Sequence, residues 1–183
     1  MDRESFNIAG HAHFLTFSCF HKRQLLTDDR VRHWLAQSIN ECRDVEQIAL
    51  WAYVFMPDHV HLLICPKSDD YSMAKTLRRI KEPVTHRLVR HWTENAPGKL
   101  ESIKAGQGQR IVHRMWQAGG GYDRNLTSWE SIAKAIDYIE WNPVRRKYVD
   151  QPEDWMWSSA NARVGKEQVP LAVDPVETEF AVN

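Results

Sequence analysis

The sequence predicts an α+β fold, an antiparallel sheet with helices packed on one face. Two observations carry this. Strand-like and helix-like periodicities alternate along the chain, and two of the strands are separated by too few residues for anything but an antiparallel hairpin. A length of 183 residues suits one domain plus a tail. The expected division is a domain over 1–164 and a loosely packed tail over 165–183.

Each element follows from local pattern. Residues 11–20, HAHFLTFSCF, read as a partly alternating strand. Asp28 and Asp29 suit a helix N-terminus, and Val31, Trp34, Leu35, Ser38, Ile39 and Cys42 then recur at helical spacing. Ile48–Phe55 reads as a second strand, Pro57-Asp58 as a turn, and His59–Cys65 as a third strand closed by Pro66. A helix is expected from about Ser72 to Trp92, kinked or interrupted at Pro83. Residues 96–110 contain three glycines and little apolar pattern, and read as a flexible loop. Ile111–Gln117 reads as a fourth strand, and Gly119–Gly121 as a loop or hinge. Thr127 or Ser128 caps a last helix that runs to about Trp141, before Pro143. The first six elements match a ferredoxin-like plan, with two helices on one face of an antiparallel sheet.

Composition narrows the function classes. The chain is 43% hydrophobic and 26% charged, as in ordinary soluble proteins. No apolar run approaches the roughly 18–20 residues that span a bilayer, and MDRESFNIAG lacks a signal-peptide pattern. The expected location is the cytoplasm. Three widely spaced cysteines, Cys19, Cys42 and Cys65, offer neither a disulfide framework nor a CxxC metal knuckle. The net charge of zero hides an asymmetry: residues 75–124 carry 11 Lys and Arg against four acidic residues. Such a block suits a phosphate-binding surface, or simply a solvated helix face followed by a basic loop.

Two patterns can carry chemistry. In His59-Val60-His61 the imidazoles are two apart on a strand, so they share a face at roughly 7 Å. Such a pair can hold a divalent metal, or it can be two surface or hydrogen-bonded histidines. His11-Ala12-His13 repeats the spacing without the following apolar run. On the last helix, Trp129, Ile132, Ile136 and Ile139 form an apolar stripe, and Tyr138 falls about 140° from its middle. Asn142 lies four residues on, beside Tyr138 on the same face, and Ala135 leaves space next to them. A phenol beside a carboxamide suits a nucleophile and a metal ligand, or an exposed tyrosine and a helix-ending asparagine. Metal, nucleophile and polyanion binding meet in phosphoryl transfer.

The segments MPDHVHLLI, WQ followed by GGGYDR, AIDYIEWNPVRRKYV and DWMWSSA occur in this order over roughly residues 11–160. In these the chain resembles the REP-associated tyrosine transposases, a branch of the single-tyrosine HUH nucleases. The resemblance implies a ferredoxin-like sheet with the two HUH histidines, here His59 and His61, on a central strand. It places the catalytic tyrosine at Tyr138 on a nearby C-terminal helix, and the third, polar metal ligand at Asn142. The long loop at 96–110 and the extra glycine of GGGYDR depart from the tightest family pattern.

The activity so implied is cleavage and rejoining of single-stranded DNA at REP-type hairpins through a 5′-phosphotyrosine, with Mg²⁺ or Mn²⁺ as cofactor. Lys134 or Arg145 would help a phenol that ordinarily ionises near ~10. Arg78, Arg79, Arg110 and Arg114 are the expected DNA-phosphate contacts. The expected state is a monomer or a homodimer, with no membrane partner. Two other classes compete: a domesticated protein that binds DNA or RNA hairpins without cutting, and a metal phosphodiesterase that uses water as nucleophile. A covalent protein–DNA adduct separates them.

Overall fold

The computed structural model describes residues 7–106 and 111–176. Strands β1 (Ala12–Ser18), β2 (Ile48–Phe55) and β3 (His59–Pro66) are followed by two short strands, β4 (Lys104–Ala105) and β5 (Val112–His113), and by β6 (Tyr122–Leu126). The helices are α1 (Asp29–Glu46), α2 (Met73–Asn95), α3 (Trp129–Glu140), α4 (Asn142–Arg145) and α5 (Ala160–Arg163). The main sheet has the order β2-β3-β1-β6, and all of its pairings are antiparallel. With α1 and α2, this is the ferredoxin-like order that the sequence predicts.

Alternation along β3 assigns the two faces. Val60, Leu62 and Ile64 pack with Leu35 and Ile39 of α1 and Ile80 and Val84 of α2. Leu63 and Cys65 pack with Ile132, Ile136 and Ile139 of α3 on the other side. The sheet is therefore covered on both faces, which explains why β2 and β3 read as continuous apolar runs rather than as alternating ones. His59 and His61 share the α3 face with Leu63.

Helix ends follow the predicted chemistry. The Asp28 carboxylate accepts from the Arg30 amide, and the Ser128 hydroxyl accepts from the Ser131 amide. Pro83, in contrast, does not interrupt α2. Its ring leaves the Arg79 carbonyl without a helical donor, and the Ser38 hydroxyl of α1 lies 3.2 Å from that carbonyl and 2.9 Å from that of Ile80. A neighbouring helix supplies the missing donor.

The fourth strand of the sheet is Tyr122–Leu126, not Ile111–Gln117. Only Val112–His113 of the latter pairs, with Lys104–Ala105, and Trp116 makes an isolated bridge to Cys19. The β6 sequence YDRNL is an edge strand with one buried residue, so it carries no apolar alternation to read. Gly121, with φ +82°, admits the close approach: a Cβ there would sit 2.2 Å from the Thr16 carbonyl oxygen. Residues 97–103, expected as loop, form 3-10 turns anchored by buried Ile103.

The free edge of β2 is also covered. Ser158 bridges Val54, the Trp157 indole is buried in the core, and Asp174 accepts from the Leu50 amide at 2.7 Å. All three cysteines are buried and free.

Candidate active site

The site lies on the α3 face, where the middle of the sheet meets the C-terminal end of that helix. β3 delivers His59 and His61, whose ring centroids are 4.8 Å apart. Both side chains are buried. Each imidazole is held through Nδ1. The His59 Nδ1 lies 2.6 Å from Asp58 Oδ1, and the His61 Nδ1 lies 2.7 Å from Thr16 Oγ1 of the paired strand. Asn142 Nδ2 lies 3.3 Å from His61 Nε2. An amide N–H can only donate, so Nε2 is an acceptor and the His61 proton sits on Nδ1. The carboxylate of Asp58 fixes the same tautomer on His59. In this tautomer each Nε2 carries the lone pair that a metal ligand needs, and the one on His61 meets the Asn142 N–H.

Burial, with smaller coulombic contributions from neighbouring His59 and Arg146, pushes His61 down to about 3. It is therefore neutral at ordinary pH. Asn142 is buried on α4, and its Oδ1 has no hydrogen-bond partner. A buried acceptor without a donor is costly unless something else satisfies it. Two imidazole Nε2 atoms and an orphaned amide oxygen suit a divalent cation, which would take the His61 lone pair in place of the Asn142 N–H and satisfy the amide oxygen. No cluster of three His, Cys, Asp or Glu able to hold a metal occurs among the described residues. The only group of this kind at the site therefore needs the asparagine.

Tyr138 sits beside this set. The residue is 43% exposed, and its ring lies 5.4 Å from the His61 ring and 5.7 Å from that of Phe14. Arg145 lies over the phenol ring at 5.2 Å and donates to the Tyr138 carbonyl at 3.1 Å. Lys134, the other cation expected to assist, is exposed and paired with Glu130 at 2.5 Å. The α3 stripe keeps Ile132, Ile136 and Ile139 in the core, whereas Trp129 is 42% exposed. Its place in the first turn, before the helix meets the sheet, accounts for this.

The structure brings His59, His61, Tyr138 and Asn142 together, and it places Arg78, Arg79 and Arg114 elsewhere. Arg78 and Arg114 line one cavity of about 520 Å³ between α2 and residues 114–120, with Lys81, His86 and Trp116. Burial lowers the Lys81 ammonium below the usual lysine range. Arg79 is held at 2.6 Å by Glu46, which also pairs with Lys75 at 3.3 Å. Arg110 lies outside the described residues. Trp155 and Trp157 face inward and hold Arg32 between their rings. Sequence reasoning missed Thr16 and Asp58. Asp58 directly precedes the first histidine and was visible. Thr16 meets His61 only through strand register.

Among known proteins, a REP-associated tyrosine transposase of Haemophilus influenzae is 28% identical over 153 residues, covering 80% of this chain and 82% of that one. A solved REP-associated tyrosine transposase bound to a REP hairpin superimposes with a TM-score of 0.71 over 98% of this chain and 96% of that one. At 20% identity, that match speaks for the fold. The model of the IS200-like transposases matches residues 8–100, just over half of the chain, from before β1 through α2. With the HxH pair on β3 inside that match, the chain belongs to the IS200-like transposase family.

Proposed function

We propose that this chain cleaves and rejoins single-stranded DNA at hairpins of the REP type, in the cytoplasm, with Tyr138 as nucleophile. The observation that carries this reading is the placement of a half-exposed phenol against two buried histidines and an orphaned amide oxygen. In the reaction, Tyr138 Oη bonds to phosphorus, the phosphorus–O3′ bond breaks, the phenol loses its proton, and O3′ gains one. The products are a 5′-phosphotyrosine and a free 3′-hydroxyl, and attack by another 3′-hydroxyl reverses the step. Arg145 sets a positive charge next to the phenol where negative charge resides before attack.

His59, His61 and Asn142 are the residues that would hold Mg²⁺ or Mn²⁺. Such an ion supplies Lewis-acid polarisation of the scissile phosphate. With two nitrogen donors the set favours Mn²⁺, Co²⁺ or Zn²⁺ over Mg²⁺ in affinity. Arg78, Arg114 and Lys81 are the proposed contacts to the hairpin backbone. Their cavity lies on the α2 side of the β6 edge and Tyr138 on the α3 side, so a bound strand passes round that edge.

The test is a denaturing protein gel of the chain incubated with end-labelled hairpin DNA and Mn²⁺. A slow-migrating labelled band that requires metal and is absent in Tyr138→Phe is expected. Cleavage that leaves no adduct and persists in Tyr138→Phe contradicts the reading and points to water as nucleophile.

A further inference from the structure

A second cavity opens beside Tyr138, on the side of the ring away from Asn142. It measures about 460 Å³ and lies between β1, β6 and the first turns of α3. Phe14, Leu126 and Ala135 supply its apolar lining together with Tyr138, and half-buried Ser131 and exposed Arg124 also line it. None of these side chains is needed to hold the proposed metal ligands. Phe14 links the two places: its ring lies 5.6 Å from His61 and 5.7 Å from Tyr138.

We infer that this cavity is a nucleobase subsite, which takes the base of one of the two nucleotides flanking the cut phosphodiester. The inference rests on the reading of Tyr138 as the nucleophile. Three features select this occupant. The volume lies in the roughly 300–1,000 Å³ range of small-ligand pockets, enough for one nucleotide. The lining sets the Phe14 and Tyr138 rings beside Leu126 and Ala135, as base stacking requires, while Arg124 suits the phosphate that follows, the Glu130 carboxylate in the same lining being paired with Lys134. Finally, a phosphate attacked by Tyr138 is covalently joined to a nucleotide on either side, so one of them must lie next to the ring. A base seated against Phe14 and Leu126 anchors the backbone on one side of the cut, which fixes the phosphorus relative to Tyr138 Oη. The protein itself would then sense the base next to the cut.

The test uses the full chain with Mn²⁺ and a hairpin substrate whose cut has been mapped. An abasic residue is placed at each flanking nucleotide in turn, and as a control five nucleotides away. The expected result is a loss of about tenfold or more in kcat/KM for one flanking position, with the control changed less than twofold. Ser131→Phe, which fills part of the cavity, slows cutting of intact DNA to a similar extent and abolishes the extra penalty of the lesion. Arg124→Ala, at an exposed position, lowers cutting of intact DNA and leaves the lesion penalty in place. Should Ser131→Phe fail to fold, the lesion series on the unaltered protein decides. Adduct formation that tolerates an abasic residue on both sides overturns the subsite alone, as does a lesion penalty unchanged in a folded Ser131→Phe. Absence of any Tyr138 adduct with intact DNA overturns the reading on which the subsite rests.

Discussion

Two HxH pairs lie on or at the start of neighbouring strands of one sheet, and they are held differently. On β1, His13 is fully buried and spends both ring nitrogens: Nδ1 lies 2.8 Å from Asp123 Oδ1 and Nε2 lies 2.7 Å from the Tyr71 hydroxyl. Tyr71 in turn donates to the Ile8 carbonyl at 2.9 Å. His11 sits near the strand end, with Nδ1 3.1 Å from the Asn125 amide nitrogen. On β3, His59 and His61 each engage Nδ1, with Asp58 and Thr16 respectively, and His61 Nε2 meets the amide of Asn142, whose own oxygen is unpaired. Spacing is identical in the two pairs. What the second nitrogen meets separates His13 from the proposed metal ligands.

The largest expected effect breaks this contrast outright. His59→Ala or His61→Ala should abolish strand cleavage and Mn²⁺ binding measured by calorimetry. His13→Ala should leave Mn²⁺ affinity within twofold while costing about 1–3 kcal/mol in urea unfolding, because Asp123 and Tyr71 lose a buried partner. Equal loss of metal affinity in His13→Ala would erase the distinction.

Thr16→Val sharpens it. Without the hydroxyl, His61 Nδ1–H loses its acceptor, and Mn²⁺ affinity should fall about 10–100-fold. Thr16→Ser should restore most of it. If Thr16→Val binds metal normally, the tautomer is not held from β1.

pH gives a third measure. The folded value of His61, about 3, lies below the ~6.5 of an unfolded histidine. Between these values the unfolded chain binds the additional proton, so stability falls as pH drops below about 6.5 and continues to fall toward about 3. Unfolding of the metal-free protein at pH 7.5, 6 and 5 should reveal this slope, and His61→Gln should flatten it. An equal slope in the variant would assign it to other groups.

The same difference between spent and unspent groups recurs on α2, with a smaller effect. Arg79 is held by Glu46, whereas Arg78 lines the basic cavity. Arg78→Ala should lower the salt dependence of hairpin binding by about one unit of slope, and Arg79→Ala by much less.

These contrasts also mark what was legible in the sequence. β2, β3, α1 and α3 were readable because apolar period and caps agree there. The site residues were readable as residue types at strand and helix spacing. The fourth strand was not, since β6 is a polar edge held by Gly121 packing on Thr16. Nor was the continuity of α2 through Pro83, which depends on Ser38 of another helix. Thr16 stayed hidden for the same reason: its role lies in pairing with His61 across 45 residues, and local pattern carries no long-range register.

The most direct test of the central claim is to trap the adduct with hairpin DNA and Mn²⁺, digest it with nuclease and trypsin, and sequence the modified peptide. The account predicts a nucleotide on Tyr138, within the peptide AIDYIEWNPVR. A modification on Tyr122, whose ring also contacts Phe14 at 5.9 Å, would contradict it.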